Sequence, residues 1–352
     1  MKLGIIGLPQ SGKTTLFNAA SGHQEQVGDY SRAEHRAVIK VPDRRLDELT
    51  AVFGETKKVT HAEIEFLDAV GFSGKARASG GNIELTPDLH LMDAFVVVLD
   101  AFSHDADPEH DLHAIIDEML FADLAIIENN IDKIARTIQL TGHRERAREL
   151  ELLELCRDTL NNEQMIAELE LSAEDEKTLR GYAFLSQKPQ LVVFNISEDK
   201  LPQFSQWYDS YAKYKQEGMR DIAVICGKIE MELAVLDEAD RAAFLKELAI
   251  ERPAVEKVVQ RSYALLGLIS FFTLGRPECR AWTIRRGSRA PQAAGAIHSD
   301  FERGFIRAEV ASYEDYLEHK TLPALKAAAK LHVEGKDYVV QNGDVILFRF
   351  NV

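Results

Sequence analysis

The chain has 352 residues, 45% of them hydrophobic and 28% charged, which supplies apolar material for two or three cores and excludes a disordered protein. Its formal net charge of −15 excludes adhesion to nucleic acid or anionic membrane by the molecule as a whole, so any contact with RNA has to be local. Three scattered cysteines (Cys156, Cys226, Cys279) exclude a disulfide framework and lack metal-ligand spacing; with no apolar run of transmembrane length and no leader pattern after Met1, a cytoplasmic protein is expected.

Leu3-Gly4-Ile5-Ile6 reads as a short buried strand. It is followed by Gly7-Leu8-Pro9-Gln10-Ser11-Gly12-Lys13-Thr14, a full match to GxxxxGK(S/T), and then by helix-forming Thr15-Leu16-Phe17-Asn18-Ala19-Ala20. Strand, glycine loop and helix in that order predict a nucleoside triphosphate site. The loop from Gly7 to Gly12, which runs through Pro9, Gln10 and Ser11, wraps the N–H groups of its non-proline residues around the β-phosphate, and the helix beginning at Lys13-Thr14-Thr15 turns its positive end to the same anion. Lys13 reaches the β- and γ-phosphates, where it acts in catalysis, and Thr14 supplies a hydroxyl to Mg²⁺.

The polar, irregular stretch from Ser21 to Arg36 is a candidate switch. Ala37-Val38-Ile39-Lys40-Val41 alternates toward strand, and an amphipathic helix is predicted from Arg44 to Phe53. Next, Ala62 to Asp68 alternates and delivers Asp68-Ala69-Val70-Gly71. An aspartate at the end of a neighbouring strand can hold Mg²⁺ through water, and a glycine three residues on lets its N–H approach the γ-phosphate, so Asp68 and Gly71 join the predicted site.

Phe95 to Leu99, Leu191 to Phe194 and Ile222 to Ile225 are apolar runs typical of parallel strands covered on both faces. Strands alternating with helices give an α/β, doubly wound sheet. Between Asp111 and Gln187 the alternation stops: Leu124, Ile127, Ile131, Ile134 and Ile138 form a heptad-like seam, and after a break near Thr141-Gly142 a second helix carries Leu150, Leu153, Cys156 and Leu160. This is an antiparallel helical hairpin inserted into the sheet domain, either a solvated pair of helices or a partner-binding arm.

After the strand at Leu191 stands Asn195-Ile196-Ser197-Glu198, where regular GTPases carry Asn-Lys-x-Asp. That aspartate accepts from guanine N1–H and the N2 amine, whereas adenine presents an acceptor at N1 and an amine at C6. The change removes the reason for guanine preference without establishing adenine.

At this point the residues resemble one family. Gly7-Leu8-Pro9 before Gly12-Lys13-Thr14-Thr15-Leu16-Phe17-Asn18-Ala19, the Val41-Pro42-Asp43-Arg44-Arg45-Leu46 segment, Asn195 to Glu198, and Cys226-Gly227-Lys228-Ile229-Glu230 are similar to the Obg-like ATPase (YchF) family. So are Arg280-Ala281-Trp282-Thr283, Ala290 to Ala294, Ile297 to Val310 and Glu334 to Val345, which resemble that family's terminal TGS domain. The resemblance spans nearly the whole chain. It implies a Ras-like P-loop domain (1–111 and 188–266) interrupted by a helical coiled-coil arm (112–187), then a ubiquitin-like, β-grasp TGS domain (267–352). It implies slow hydrolysis of ATP, with GTP also accepted, a conformational switch, and association with the ribosome or ribosomal RNA, with no DNA specificity, no membrane and a monomer or weak oligomer.

Carried over by position, Asn195 and Glu198 read the base and Cys226, Gly227 and Lys228 line its other side. Phe72 stands where Ras-type enzymes keep a water-positioning glutamine, and an apolar side chain cannot orient water. The chain departs from the family pattern in its chemical parts. Ser31, in Ser31-Arg32-Ala33-Glu34-His35, is the hydroxyl left in the first switch for Mg²⁺; Gln10 replaces an asparagine linked to potassium; the second switch shortens to residues 75–82; and His104 is the histidine left for a catalytic role in a reduced loop. Such changes leave open a nucleotide-sensing RNA- or ribosome-binding protein with negligible turnover. A small-molecule kinase is disfavoured because Arg144, Arg146 and Arg148 sit at the hairpin turn rather than on a phosphate lid. In the C-terminal domain, strand alternation assigns Trp282 and Phe305 to the core and Arg285 or Arg286 to the surface.

Overall fold

A computed structural model of the chain describes residues 1–22, 35–54, 56–68, 87–141, 146–248 and 250–351. They form two compact units, Met1–Ala37 with Glu65–Leu265, and Val38–Ile64 with Leu266–Val352. The chain runs through β1 (Lys2–Ile6), α1 (Lys13–Ser21), β2 (His35–Lys40), α2 (Arg44–Phe53), β3 (Val59–Thr60), β4 (Glu63–Asp68) and β5 (Ala94–Ala101). There follow α3 (Pro108–Thr141), α4 (Ala147–Asn161), α5 (Ala173–Leu179), β6 (Gln190–Ile196), α6 (Phe204–Tyr211), β7 (Arg220–Ile225), α7 (Gly227–Val235), α8 (Glu238–Glu247) and α9 (Ala254–Leu265). The last stretch holds β8 (Leu268–Thr273), β9 (Cys279–Arg285), α10 (Ala290–Ile297), α11 (Ser299–Arg303), β10 (Phe305–Ala311), α12 (Tyr313–His319), α13 (Leu322–Ala327), β11 (His332–Glu334) and β12 (Val345–Phe350).

The first sheet has the order β2-β4-β1-β5-β6-β7. β1 pairs in parallel with β4 and β5, β5 with β6, and β6 with β7. The apolar runs explain the central strands: Phe95, Val97, Leu99, Val192 and Phe194 are fully buried in the core shared with the helices, because a parallel sheet is covered on both faces. The register sets Asp68 beside Ile5 and Asn195 beside Ile225. In consequence the loop after β1, the end of β4, the end of β6 and the loop after β7 come out at one edge of the sheet, where open α/β folds bind ligands.

The helical hairpin is present. Ile127 and Ile134 of α3 are buried with Leu152, Leu153, Cys156 and Leu160 of α4, and Leu124, Ile131 and Ile138 pack partly buried against them. Where the hairpin returns to the sheet, buried Asp123 accepts from the N–H groups of Leu185 and Ser186 at 2.9 and 2.7 Å. No helix among the described residues is long and apolar enough to cross a membrane.

The second sheet has the order β11-β10-β12-β8-β9-β3. Its central pair, β12 and β8, is parallel, and antiparallel β9 and β10 flank it, the β-grasp arrangement expected of a TGS domain. Ala290, Ala293 and Ala294 of α10 close one face over Phe271, Phe305 and Phe348. Phe305 is in the core and Arg285 is exposed, as strand alternation predicts, and Arg286, just past the end of β9, is exposed too; Trp282, expected in the core, is instead half-buried against it, because its indole N–H is spent on Thr273 Oγ1 at 2.9 Å. β3 extends this sheet by pairing in parallel with β9, Val59 opposite Cys279.

Candidate nucleotide-binding site

The loop of residues 7–14 connects β1 to α1 and owes its path to its glycines. Gly7 and Gly12 have φ of 156° and 100°. A Cβ at Gly7 would lie 2.3 Å from the Val98 carbonyl oxygen, and one at Gly12 would lie 2.3 Å from Asn195 Nδ2, so no larger residue fits either place. Gln10 takes a left-handed φ of 67° without being glycine, and with Pro9 it is exposed on the outer turn of the loop. Gly12 caps α1 without a side chain, and the first turn of α1 holds no acidic residue, so its leading N–H groups face an anion without competition. The Ser11 hydroxyl is buried and has no partner among the described residues.

Lys13 folds back over this loop and donates from Nζ to the Leu8 carbonyl oxygen at 2.9 Å. Burial depresses its pKa to about 8, with the Asp68 carboxylate pulling the other way. Thr14 Oγ1 donates to Asp68 Oδ2 at 3.1 Å. Asp68 is 6% exposed, and its burial raises its pKa above the usual carboxylate range, against the Thr14 hydrogen bond and the charges of Lys13 and His35. Lys13 and Thr14, named from the glycine loop, and Asp68, named from the end of the strand that follows, thus form one constellation.

Asn195 ties the remaining loops together. Its Nδ2 donates to the Ser11 carbonyl oxygen at 3.1 Å and its Oδ1 accepts from the Gly227 N–H at 2.9 Å. The side chain is buried, and these two hydrogen bonds fix the orientation of its amide. Gly227 is needed for this approach, since a Cβ there would meet Asn195 Oδ1 at 3.0 Å and Thr15 Cγ2 at 3.1 Å. On the outer side Lys228 Nζ donates to Glu198 Oε2 at 2.7 Å, an exposed pair. Cys226 is the buried residue before α7, and burial raises its thiol pKa.

His104 is exposed in the turn after β5. That turn is fixed by Asp100, whose Oδ1 accepts from the N–H groups of Phe102 and Ser103 at 3.0 Å each, and by Lys200, which donates to the Ala101 carbonyl oxygen at 2.7 Å. Ser31 and Gly71 lie outside the described residues, as do Phe72, the 75–82 segment and Arg144. The residue that sequence reasoning missed is His35, at the start of β2, whose charge acts on Asp68 and whose ring lies 6.3 Å from that of Phe17. Only its place at the end of the polar stretch signalled it.

Comparison with known proteins gives the family. Residues 268–351 match the family model YchF-GTPase_C, described as "Protein of unknown function (DUF933)", and residues 2–130 match the model described as "50S ribosome-binding GTPase". The chain is 36% identical over 363 residues to the ribosome-binding ATPase YchF of Bacillus subtilis, with 99% of each chain covered. It is 34% identical over 363 residues to that of Escherichia coli O157:H7, covering 100% of this chain and 99% of the relative. Among solved structures it is similar to the Schizosaccharomyces pombe YchF GTPase, with a TM-score of 0.83 at 27% identity over 99% of this chain and 97% of the other. By full-length likeness in both sequence and fold, the chain belongs to the YchF family.

Proposed function

We propose that the chain is a nucleoside triphosphatase that hydrolyses ATP, and GTP less selectively than a regular GTPase would, and that it works in association with the ribosome. The observation that carries this reading is the convergence of Lys13, Thr14 and Asp68 beside a glycine loop held by Asn195. Protonated Lys13 leaves the Leu8 carbonyl for the β- and γ-phosphates, and the N–H groups of the 7–14 loop and of α1 hold the phosphate oxygens. The Thr14 hydroxyl and the Asp68 carboxylate, 3.1 Å apart, are hard oxygen donors of the kind Mg²⁺ takes alongside water and phosphate. When bound, the ion neutralises charge that develops on the phosphates.

Asn195 and Glu198 read the base, and the 226–228 loop, bonded to Asn195 through the Gly227 N–H, lines its other side. Glu198 is acceptor-only when ionised and so matches the adenine C6 amine, while Lys228 holds the carboxylate in place. His104, on the turn pinned by Asp100 and Lys200, is the group assigned to orient water, in the absence of a glutamine after Gly71. The functional division is a nucleotide domain in 1–111 and 188–266, an arm in 112–187 and a TGS domain in 267–352, with the 38–64 segment of the first stretch packing in the C-terminal unit rather than with the nucleotide site. The ribosome link is carried by the relatives' names, and the arm and TGS domain are the surfaces assigned to it.

Multiple-turnover phosphate release in the presence and absence of ribosomes, with Lys13→Ala as control, tests this reading. Phosphate release that depends on Lys13 is expected. Turnover that persists in the Lys13 variant, or that never appears with ribosomes added, overturns it.

A further inference from the structure

β2 and β4 are neighbours in the first sheet. The Val41 N–H, just past the end of β2, donates at 2.7 Å to the carbonyl oxygen of Ala62, just before the start of β4. Neighbouring strands that meet where one ends and the other begins run antiparallel. Carried back along them, this register sets His35, the first residue of β2, opposite Asp68, the last of β4. Directly opposed residues of an antiparallel pair project to the same face, with Cβ atoms about 5 Å apart.

Helix α1 lies on that face. Asp68 Oδ2 accepts from Thr14 Oγ1 at 3.1 Å, and the half-buried His35 ring stands 6.3 Å from the ring of Phe17, further along the same helix. Thr14 acts on the Asp68 carboxylate by a hydrogen bond and His35 through space. Packing against Phe17 needs a ring but no nitrogen, so the nitrogens of His35 are available to the polar side of this corner. A neutral imidazole carries one acceptor nitrogen beside its N–H, and Mg²⁺ keeps several waters whose protons need acceptors.

We propose that His35 is a positioning residue of the divalent-cation site, its imidazole and the Asp68 carboxylate accepting protons from the ion's water shell on the face covered by α1. The inference rests on the nucleotide reading above and adds a residue that neither the glycine loop nor the Asp68-Ala69-Val70-Gly71 signature contains.

Titration calorimetry of the full-length chain with a non-hydrolysable ATP analogue, once with saturating Mg²⁺ and once with EDTA in its place, tests the proposal. The readout is the ratio of the Kd in EDTA to the Kd in Mg²⁺. In His35→Phe, which keeps a ring against Phe17, and in His35→Ala this ratio is expected to fall about tenfold or more, because groups behind a metal's ligands commonly contribute that much to its affinity. The Kd in EDTA is expected to stay within twofold of the wild type. His35→Phe preserves the packing, so it reports even if His35→Ala loosens the strand. A ratio within twofold of the wild type in His35→Phe overturns the proposal, as does equal weakening with and without Mg²⁺, the mark of a purely structural residue. A wild-type ratio of one overturns it together with the Mg²⁺ assignment. Failure of Lys13-dependent turnover, with the ratio and its loss in His35→Phe intact, overturns the hydrolase reading alone and supports this one.

Discussion

The ammonium of Lys13 donates to the carbonyl oxygen of Leu8, five residues back in its own loop, at 2.9 Å. Phosphate therefore replaces an internal acceptor, and what binding gains depends on the ammonium being charged beforehand. Its pKa of about 8 makes that a pH-dependent quantity. A bound triphosphate raises this pKa, so affinity is at its full value below pH 8 and falls as pH rises above it. Between pH 7.5 and 9.5 the Kd for ATP is expected to rise roughly 25-fold by titration calorimetry. Lys13→Arg, which stays charged across that range, flattens the profile whatever it does to the absolute value.

Asn195 holds two loops with one amide, and its removal strands the Ser11 carbonyl and the Gly227 N–H. Asn195→Ala is expected to cost about 2–4 kcal/mol in urea unfolding and to weaken nucleotide binding as the loops separate.

Two glycines with left-handed φ offer a matched comparison. Gly12→Ala drives a methyl to 2.3 Å from Asn195 Nδ2, whereas Gly218, at φ 74°, has nothing within 4 Å of the added Cβ. Gly218→Ala is expected to cost about 1 kcal/mol, from backbone conformation alone. Gly12→Ala exceeds that in thermal unfolding and abolishes measurable ATP binding.

Glu198 and Lys228 are paired at 2.7 Å on the outer side of the base region. Exchanging the carboxylate for an amide adds a donor where guanine O6 is an acceptor. The ratio of ATP to GTP affinity is expected to fall by about fivefold or more in Glu198→Gln, measured with both nucleotides on one preparation.

His104 is exposed on a turn fixed by Asp100 and Lys200. His104→Ala is expected to lower kcat by about two orders of magnitude while leaving the Kd for ATP unchanged. An unaltered kcat removes His104 from the reaction and directs attention to His35, which acts on Asp68.

What could be read from sequence was what local pattern dictates. The run Phe95 to Leu99 announced a fully covered strand, residues 7–14 announced the glycine loop, and the Ile127 and Ile134 spacing announced the arm. The helix from Arg44 to Phe53 was legible from its amphipathic pattern, with Asp43 capping its start through the Arg45 N–H and Gly54 ending it. Contacts between distant segments were not legible. Nothing in the motif at Asn195 shows that its amide is spent on Ser11 and Gly227, because that depends on the parallel register of β6 with β7. Likewise β3 is two residues long, too short to carry a period, and its pairing with β9 crosses more than two hundred positions of sequence.

That pairing has a consequence for synthesis. A ribosome emits β3 early and β9 late, so the 38–64 segment waits for its sheet until translation is almost finished. Contacts of such separation form slowly. The nascent chain thus carries an unpaired edge for most of its elongation, and a fragment begun at residue 266 lacks both β3 and α2, the helix that packs on β9. Recombinant pieces of the C-terminal sheet are expected to be soluble only when residues 38–64 are supplied in the same polypeptide or alongside it.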